Sequence, residues 1–225
     1  MNANTPIMQS ASAIRTDVLA TNRVLRNTYA LLAMTLLFSA GTAGAALALQ
    51  LPHPGLLLTL AGYFGLLFAT VRFRNSGLGL VFVFALTGFM GYTLGPLLSA
   101  YLGLANGGRI VLTAMGGTGI IFLGLSAYAL TSRRDFSFMG GMLMAGVLVA
   151  FLGGLAALFL ELPALSLAVS ALFVLLMAGM ILFETGNIVH GGETNYIMAT
   201  VSLYVSIFNL FTSLLHLLGA TGGDE

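Results

Sequence analysis

The chain contains no cysteine and no lysine, and only 7% of its 225 residues are charged. Without cysteine there is no disulfide framework, no thiolate nucleophile and no cysteine-based metal site, whatever the redox compartment. Soluble globular domains carry roughly 25% charged residues, so the scarcity of charge excludes one. A formal net charge of +1, with no long basic or acidic block, leaves no electrostatic footprint for nucleic acid. Catalytic signatures are missing as well. There is no His-Glu-x-x-His, no Gly-x-Ser-x-Gly and no transmembrane aspartate pair, and Gly124-Leu125-Ser126-Ala127 only faintly echoes a nucleophile turn. A protein without enzymatic activity, metal or cofactor is expected. Residues 1–26 hold no apolar core ahead of a small-residue cleavage site, so no cleavable signal peptide is expected either.

Hydrophobic residues make up 58% of the chain, and the mean hydropathy is +1.01. They are gathered in long neutral stretches between short charged clusters. Asn27 to Val71 has no Asp, Glu, Lys or Arg, and it exceeds twice the roughly 20 residues of a spanning helix. Leu51-Pro52-His53-Pro54-Gly55 breaks that stretch into two spans, because two prolines and a glycine cannot continue a helix; His53 then lies in a turn. Five more neutral runs follow: Asn75 to Gly108, Ile110 to Ser132, Phe136 to Leu160, Leu162 to Phe183 and Thr194 to Gly223. Continuously apolar runs of this length predict helices rather than the alternating strands of a barrel. The expected fold is an all-α membrane protein with seven transmembrane helices. It divides into an N-terminal tail (1–26), a seven-helix domain (27–219) and a short C-terminal tail (220–225).

Arginines set the expected orientation. Arg15, Arg23, Arg26, Arg72, Arg74, Arg133 and Arg134 fall on one side if spans alternate, and only Arg109 on the other. Positive charge favours the cytoplasm, so the N-terminus is expected there. The C-terminus, with Asp224 and Glu225, then faces outward. The natural setting is a bacterial inner membrane. Small residues crowd the spans: Gly41, Gly44 and Ala45 in the first, Gly88, Gly91 and Gly95 in the third, Gly116, Gly117 and Gly119 in the fourth, and Gly140, Gly141 and Gly146 in the fifth. In lipid such residues let helix backbones approach closely. Gly95-Pro96 is a candidate kink near the end of the third span.

The candidate chemistry lies where ionisable or polar groups interrupt apolar runs. Glu184 closes the run Leu172 to Phe183, and a carboxylate so placed must reach water or a partner. Arg72 and Arg74, ending span two on the same side, are available, and a Glu184–arginine latch would form a proton- or cation-sensitive switch. An interfacial charge without mechanistic role is the alternative. Thr194 is placed to cap the last helix and Tyr196 to sit in the interfacial aromatic belt. In that helix Ser202, Ser206, Asn209 and Ser213 recur at spacings that share one face. The stripe should point inward, bonding neighbouring helices or lining a hydrated path. His216 reads as interfacial rather than as a ligand. Residues 1–26, with Arg15, Asp17, Arg23 and Arg26, read as a solvated, partly helical leader or as a handle for another protein.

Several segments carry a family likeness: Asn22 to Ala40 (NRVLRNTYALLAMTLLFSA), Thr87 to Pro96 (TGFMGYTLGP), Phe136 to Gly146 (FSFMGGMLMAG), Phe183 to Tyr196 (FETGNIVHGGETNY) and Thr200 to Phe211 (TVSLYVSIFNLF). In this order, over nearly the whole chain, the sequence resembles the bacterial YccA branch of the Bax-inhibitor (TMBIM) membrane family. That resemblance implies a last helix surrounded by the other six. It further implies a substrate and modulator of the FtsH membrane protease, which works with HflK and HflC, with the cytoplasmic tail as the part the protease engages. Other branches are described as pH-sensitive calcium leaks gated by two aspartates. The first matches Glu184 here, but the second falls on Ser206, within Leu203-Tyr204-Val205-Ser206. One carboxyl facing a serine cannot share a proton as two close carboxylates do, which argues against calcium conduction. The basic partner in those relatives corresponds to Arg72 or Arg74.

Overall fold

The computed structural model describes residues 5–132 and 134–222, with side chains from Thr21 onward. Seven helices follow one another: α1 (Thr5–Ala48), α2 (Leu56–Phe73), α3 (Gly77–Leu102), α4 (Gly107–Thr131), α5 (Gly140–Phe159), α6 (Pro163–Val189) and α7 (Tyr196–Gly222). A single 3-10 turn, Ser137–Met139, leads into α5. Each helix is long and apolar enough to cross a membrane, α1 by its part Thr21–Ala48. There is no strand among the described residues.

The helix boundaries follow local chemistry. Leu51 to Gly55 separates α1 from α2 as its prolines require. Pro163 opens α6 in its first turn, where the missing N–H is no loss. The cap of α7 departs from expectation: Asn195, not Thr194, accepts the N–H groups of Ile197 (3.0 Å) and Met198 (3.1 Å) through Oδ1. Its amide also donates to the Arg74 carbonyl (3.1 Å) and to Asn75 Oδ1 (2.8 Å). One side chain therefore starts α7 and ties the α6–α7 turn to the α2–α3 turn. Pro96 lies inside α3, which continues through it to Leu102.

Two helices run beyond their expected limits. α1 has 44 residues, about 66 Å of helix at 1.5 Å per residue, so the tail is helical from Thr5 and continuous with the first span. Nothing after Pro6 in that tail breaks a helix, and the first glycine is Gly41. α6 likewise passes through Glu184 to Val189, which sets Glu184 inside the helix rather than at its end.

Helix α7 packs against α1, α3, α4 and α6, whereas α2 and α5 pack mainly on α3 and α6. The six helices expected around it thus resolve into four inner neighbours and two outer ones. The extremes of burial agree: 44% of the most apolar stretch of α7 is buried, against 6% for α2. Helices α1 and α3 come into direct backbone contact at two glycines. A Cβ on Gly91 would collide with the Ser39 carbonyl and Thr42 Oγ1, and one on Gly95 with Ala46. Without a hydrophobic force between helices in lipid, this backbone contact is what holds the pair. The other small residues divide. Gly140 and Gly146 receive Phe183 and Leu176, but Gly41, Gly44, Gly116, Gly119 and Gly141 face open space. Their packing role is not borne out, because spacing alone does not tell which face meets a neighbour.

Candidate functional site in the bundle core

The polar residues of α7 meet those of α1, α3 and α6 in the core. Tyr204, 1% exposed, donates its hydroxyl to the Thr87 carbonyl (3.2 Å) and pairs with Ser39 Oγ at 2.6 Å. Thr200 Oγ1 bonds the Tyr196 carbonyl (2.7 Å) and reaches the Thr28 carbonyl on α1 (3.3 Å). These contacts pin α7 to α1 and α3 without any charged group.

Glu184 is buried on α6, and Ser206 Oγ stands 3.2 and 3.4 Å from its two carboxyl oxygens. Beside it, Thr185 Oγ1 lies 3.4 Å from Tyr29 Oη on α1 and 3.5 Å from Ser126 Oγ on α4. The carboxyl group thus sits where α6 meets α7, next to hydroxyls that link α1, α4 and α6. Removing a charge from water without a partner is costly. Ser206 is the single hydrogen-bond partner of Glu184 among the described residues.

Of the residues singled out from sequence, the fold brings Glu184 and Ser206 together and leaves the arginines apart. Arg72 and Arg74 are exposed at the end of α2, with the Arg72 guanidinium 5.9 Å from the Phe73 ring centre. The latch to Glu184 is not formed. The reason is geometric: Glu184 is inside α6 and faces α7, while the arginines point away from the core. Asn209 is half-buried and turns its amide back to the Val205 carbonyl (2.9 Å), so it bonds its own helix rather than a neighbour. Arg23 and Arg26 are exposed on α1. Arg15 and Asp17 belong to α1 ahead of the described side chains, and Arg133, Asp224 and Glu225 lie outside the described residues.

Sequence reasoning missed Tyr204, Ser39, Thr87, Thr185 and Ser126. A signal existed for Tyr204, which lies on the apolar face of α7 but carries a hydroxyl that needs a partner when buried. No cluster of three His, Cys, Asp or Glu able to hold a metal occurs among the described residues. Outside the spans, Asp135 accepts the Ser137 N–H at 2.8 Å. This backbone bond, the Ser137 hydroxyl and the nearby His190 hold its carboxyl below the usual range.

Seven helices able to span a bilayer, joined by short turns and centred on a polar seam with one lone acidic side chain, define a multi-pass helical membrane protein. The chain belongs to the Bax-inhibitor family: residues 21–223 match the family model described as Inhibitor of apoptosis-promoting Bax1. It is similar to the Modulator of FtsH protease YccA of Escherichia coli K12, 56% identical over 215 residues, 96% of this chain and 98% of that one. The same identity and coverage hold for an Escherichia coli O6:H1 relative named Inner membrane protein YccA. An uncharacterized protein of Pseudomonas aeruginosa is 55% identical over 202 residues, 90% of this chain and 91% of that protein.

Proposed function

We propose that this protein binds and restrains the FtsH protease in the bacterial inner membrane, with its N-terminus in the cytoplasm. The observation that carries this reading is its 56% identity, along almost the full length of both chains, to a relative named for modulating that protease. HflK and HflC are the expected companions of the protease in the assembly.

The architecture suggests how restraint works. The part of α1 before Thr21 extends about 24 Å beyond the span at 1.5 Å per residue, a handle that a protease can grip. Behind it the Gly91–Ser39 contact and the Tyr204 seam resist extraction of the bundle. The protein acts as a slow substrate that occupies the enzyme. Removal of residues 1–26 is expected to abolish both its own degradation and the inhibition. Inhibition by the truncated protein would overturn this mechanism.

A second reading, a cation or proton leak beside α7, is favoured by one observation: the buried pairing of Glu184 with Ser206 between α6 and α7. It predicts calcium or proton flux through purified protein in liposomes, altered by Glu184→Gln. Flux no greater than in empty liposomes across about pH 5 to 8, the range bracketing ordinary His titration, removes it.

A further inference from the structure

A cavity of about 630 Å³ opens where α5 ends, α6 begins and α7 passes. Its size falls within the roughly 300–1,000 Å³ of small-molecule sites. Glu161, His216 and Ser166 line it with Leu158, Leu162 and Leu167. His216 is joined to α6 through Ser170, 2.8 Å from Nδ1.

The chemistry of the lining residues narrows what this cavity can receive. Ser170 has one O–H, which it donates to the Ser166 carbonyl at 3.0 Å. With that hydroxyl donated to Ser166, Ser170 accepts from His216 Nδ1, and in the neutral ring this tautomer leaves Nε2 as an acceptor. Glu161 adds a carboxylate, which when ionised only accepts. Among the described residues no arginine lines the space; Arg109 lines a separate cavity with Leu218 and Thr221. An acidic and an imidazole side chain, Glu161 and His216, thus line the cavity together with exposed leucines, Leu158 at 55% and Leu162 at 45%. Among the described residues no group of three His, Asp or Glu able to hold a metal occurs, so they form no closed metal cage here. An ammonium group, which offers only donors, satisfies these acceptors, and leucines at the rim suit attached acyl chains.

We propose that this cavity binds a primary-ammonium lipid headgroup at the membrane surface, with Glu161 and His216 as its acceptors. The ammonium nitrogen donates to the Glu161 carboxylate and His216 Nε2, while its chains lie along Leu158 and Leu162. A quaternary ammonium headgroup has no N–H to give and fits poorly.

The test is lipid retention by the full chain in detergent, read by native mass spectrometry, with phosphatidylethanolamine, phosphatidylcholine and soluble ethanolamine compared. Phosphatidylethanolamine is expected to be retained in clear excess over phosphatidylcholine. Glu161→Gln should lower its retention about fivefold, the upper end for a surface ion pair, and His216→Phe should remove the preference. Arg109→Gln, at the other cavity, should leave the preference intact and shows that a charge change alone is harmless. Equal retention of the two lipids, or a preference that survives both variants, overturns the proposal. Ethanolamine binding as tightly as the lipid overturns the lipid assignment, and zinc displacing the lipid from wild type but not binding the variants makes the site a metal site instead.

Discussion

Gly91→Ala tests the packing of the bundle at its tightest point. The added methyl would meet the Ser39 carbonyl and Thr42 Oγ1 on α1, and backbone cannot step aside as a flexible side chain can. Helices α1 and α3 must move apart, at a cost of about 1 to 3 kcal/mol for overpacking. The move also pulls Ser39 from Tyr204, now 2.6 Å away, and an interhelical hydrogen bond in a membrane protein averages about 0.6 kcal/mol. Together the loss is about 1.6 to 3.6 kcal/mol, roughly a 15- to 450-fold shift in the folded-to-unfolded ratio. Equilibrium unfolding in mixed detergent measures it, with Gly41→Ala as the companion because nothing lies within 4 Å of its added Cβ. Gly41→Ala should leave stability unchanged or raise it by up to about 1 kcal/mol through helix propensity. If the two variants unfold alike, the α1–α3 contact does not hold the bundle as described. If extraction resistance underlies protease restraint, Gly91→Ala should also be degraded faster and inhibit less.

Tyr204→Phe keeps the ring but removes the hydroxyl shared with Ser39 and Thr87; unfolding should show a loss of about 1 to 2 kcal/mol, and adding Ser39→Ala should cost less than the sum of the single changes. Asn195→Ala should destabilise by about 1 to 2 kcal/mol, since it removes the α7 cap and the tie to Asn75, whereas Thr194→Ala should be near neutral in the same assay; equal losses would restore Thr194 as the cap. Asp135 has a depressed folded-state pKa, so its contribution is present above the ordinary carboxylate value and lost as pH falls through the depressed one. Melting curves of wild type and Asp135→Asn should therefore differ at neutral pH and converge below about pH 4; a gap that persists in acid would contradict that sign.

The number of spans was legible because each charged cluster and the Pro52–Gly55 turn interrupt runs long enough to cross a bilayer. Which of the other six helices lie inside and which outside was not. In lipid an outward face is as apolar as an inward one, so α2, almost wholly peripheral, is as apolar in sequence as the far more buried α3. Glu184 was legible as unusual but not as interior, because the end of an apolar run does not show where its helix ends. A glutamate is a good helix former, and α6 continues for more than a turn beyond it. Its partner Ser206 came from family likeness, while the arginines that likeness also offered lie elsewhere. Ser170 with His216, and Tyr29 with Thr185, join residues far apart in the chain. No periodicity marks such pairs, which exist only once α1, α6 and α7 have packed.

The most direct test of the central claim is the half-life of a co-expressed FtsH membrane substrate, measured at equal abundance of intact protein, protein lacking residues 1–26, and Glu184→Gln. Intact protein and Glu184→Gln should prolong the half-life, and the truncated protein should not. An unchanged half-life with all three would contradict the assignment of FtsH as partner, and prolongation by the truncated protein would contradict the role of the tail.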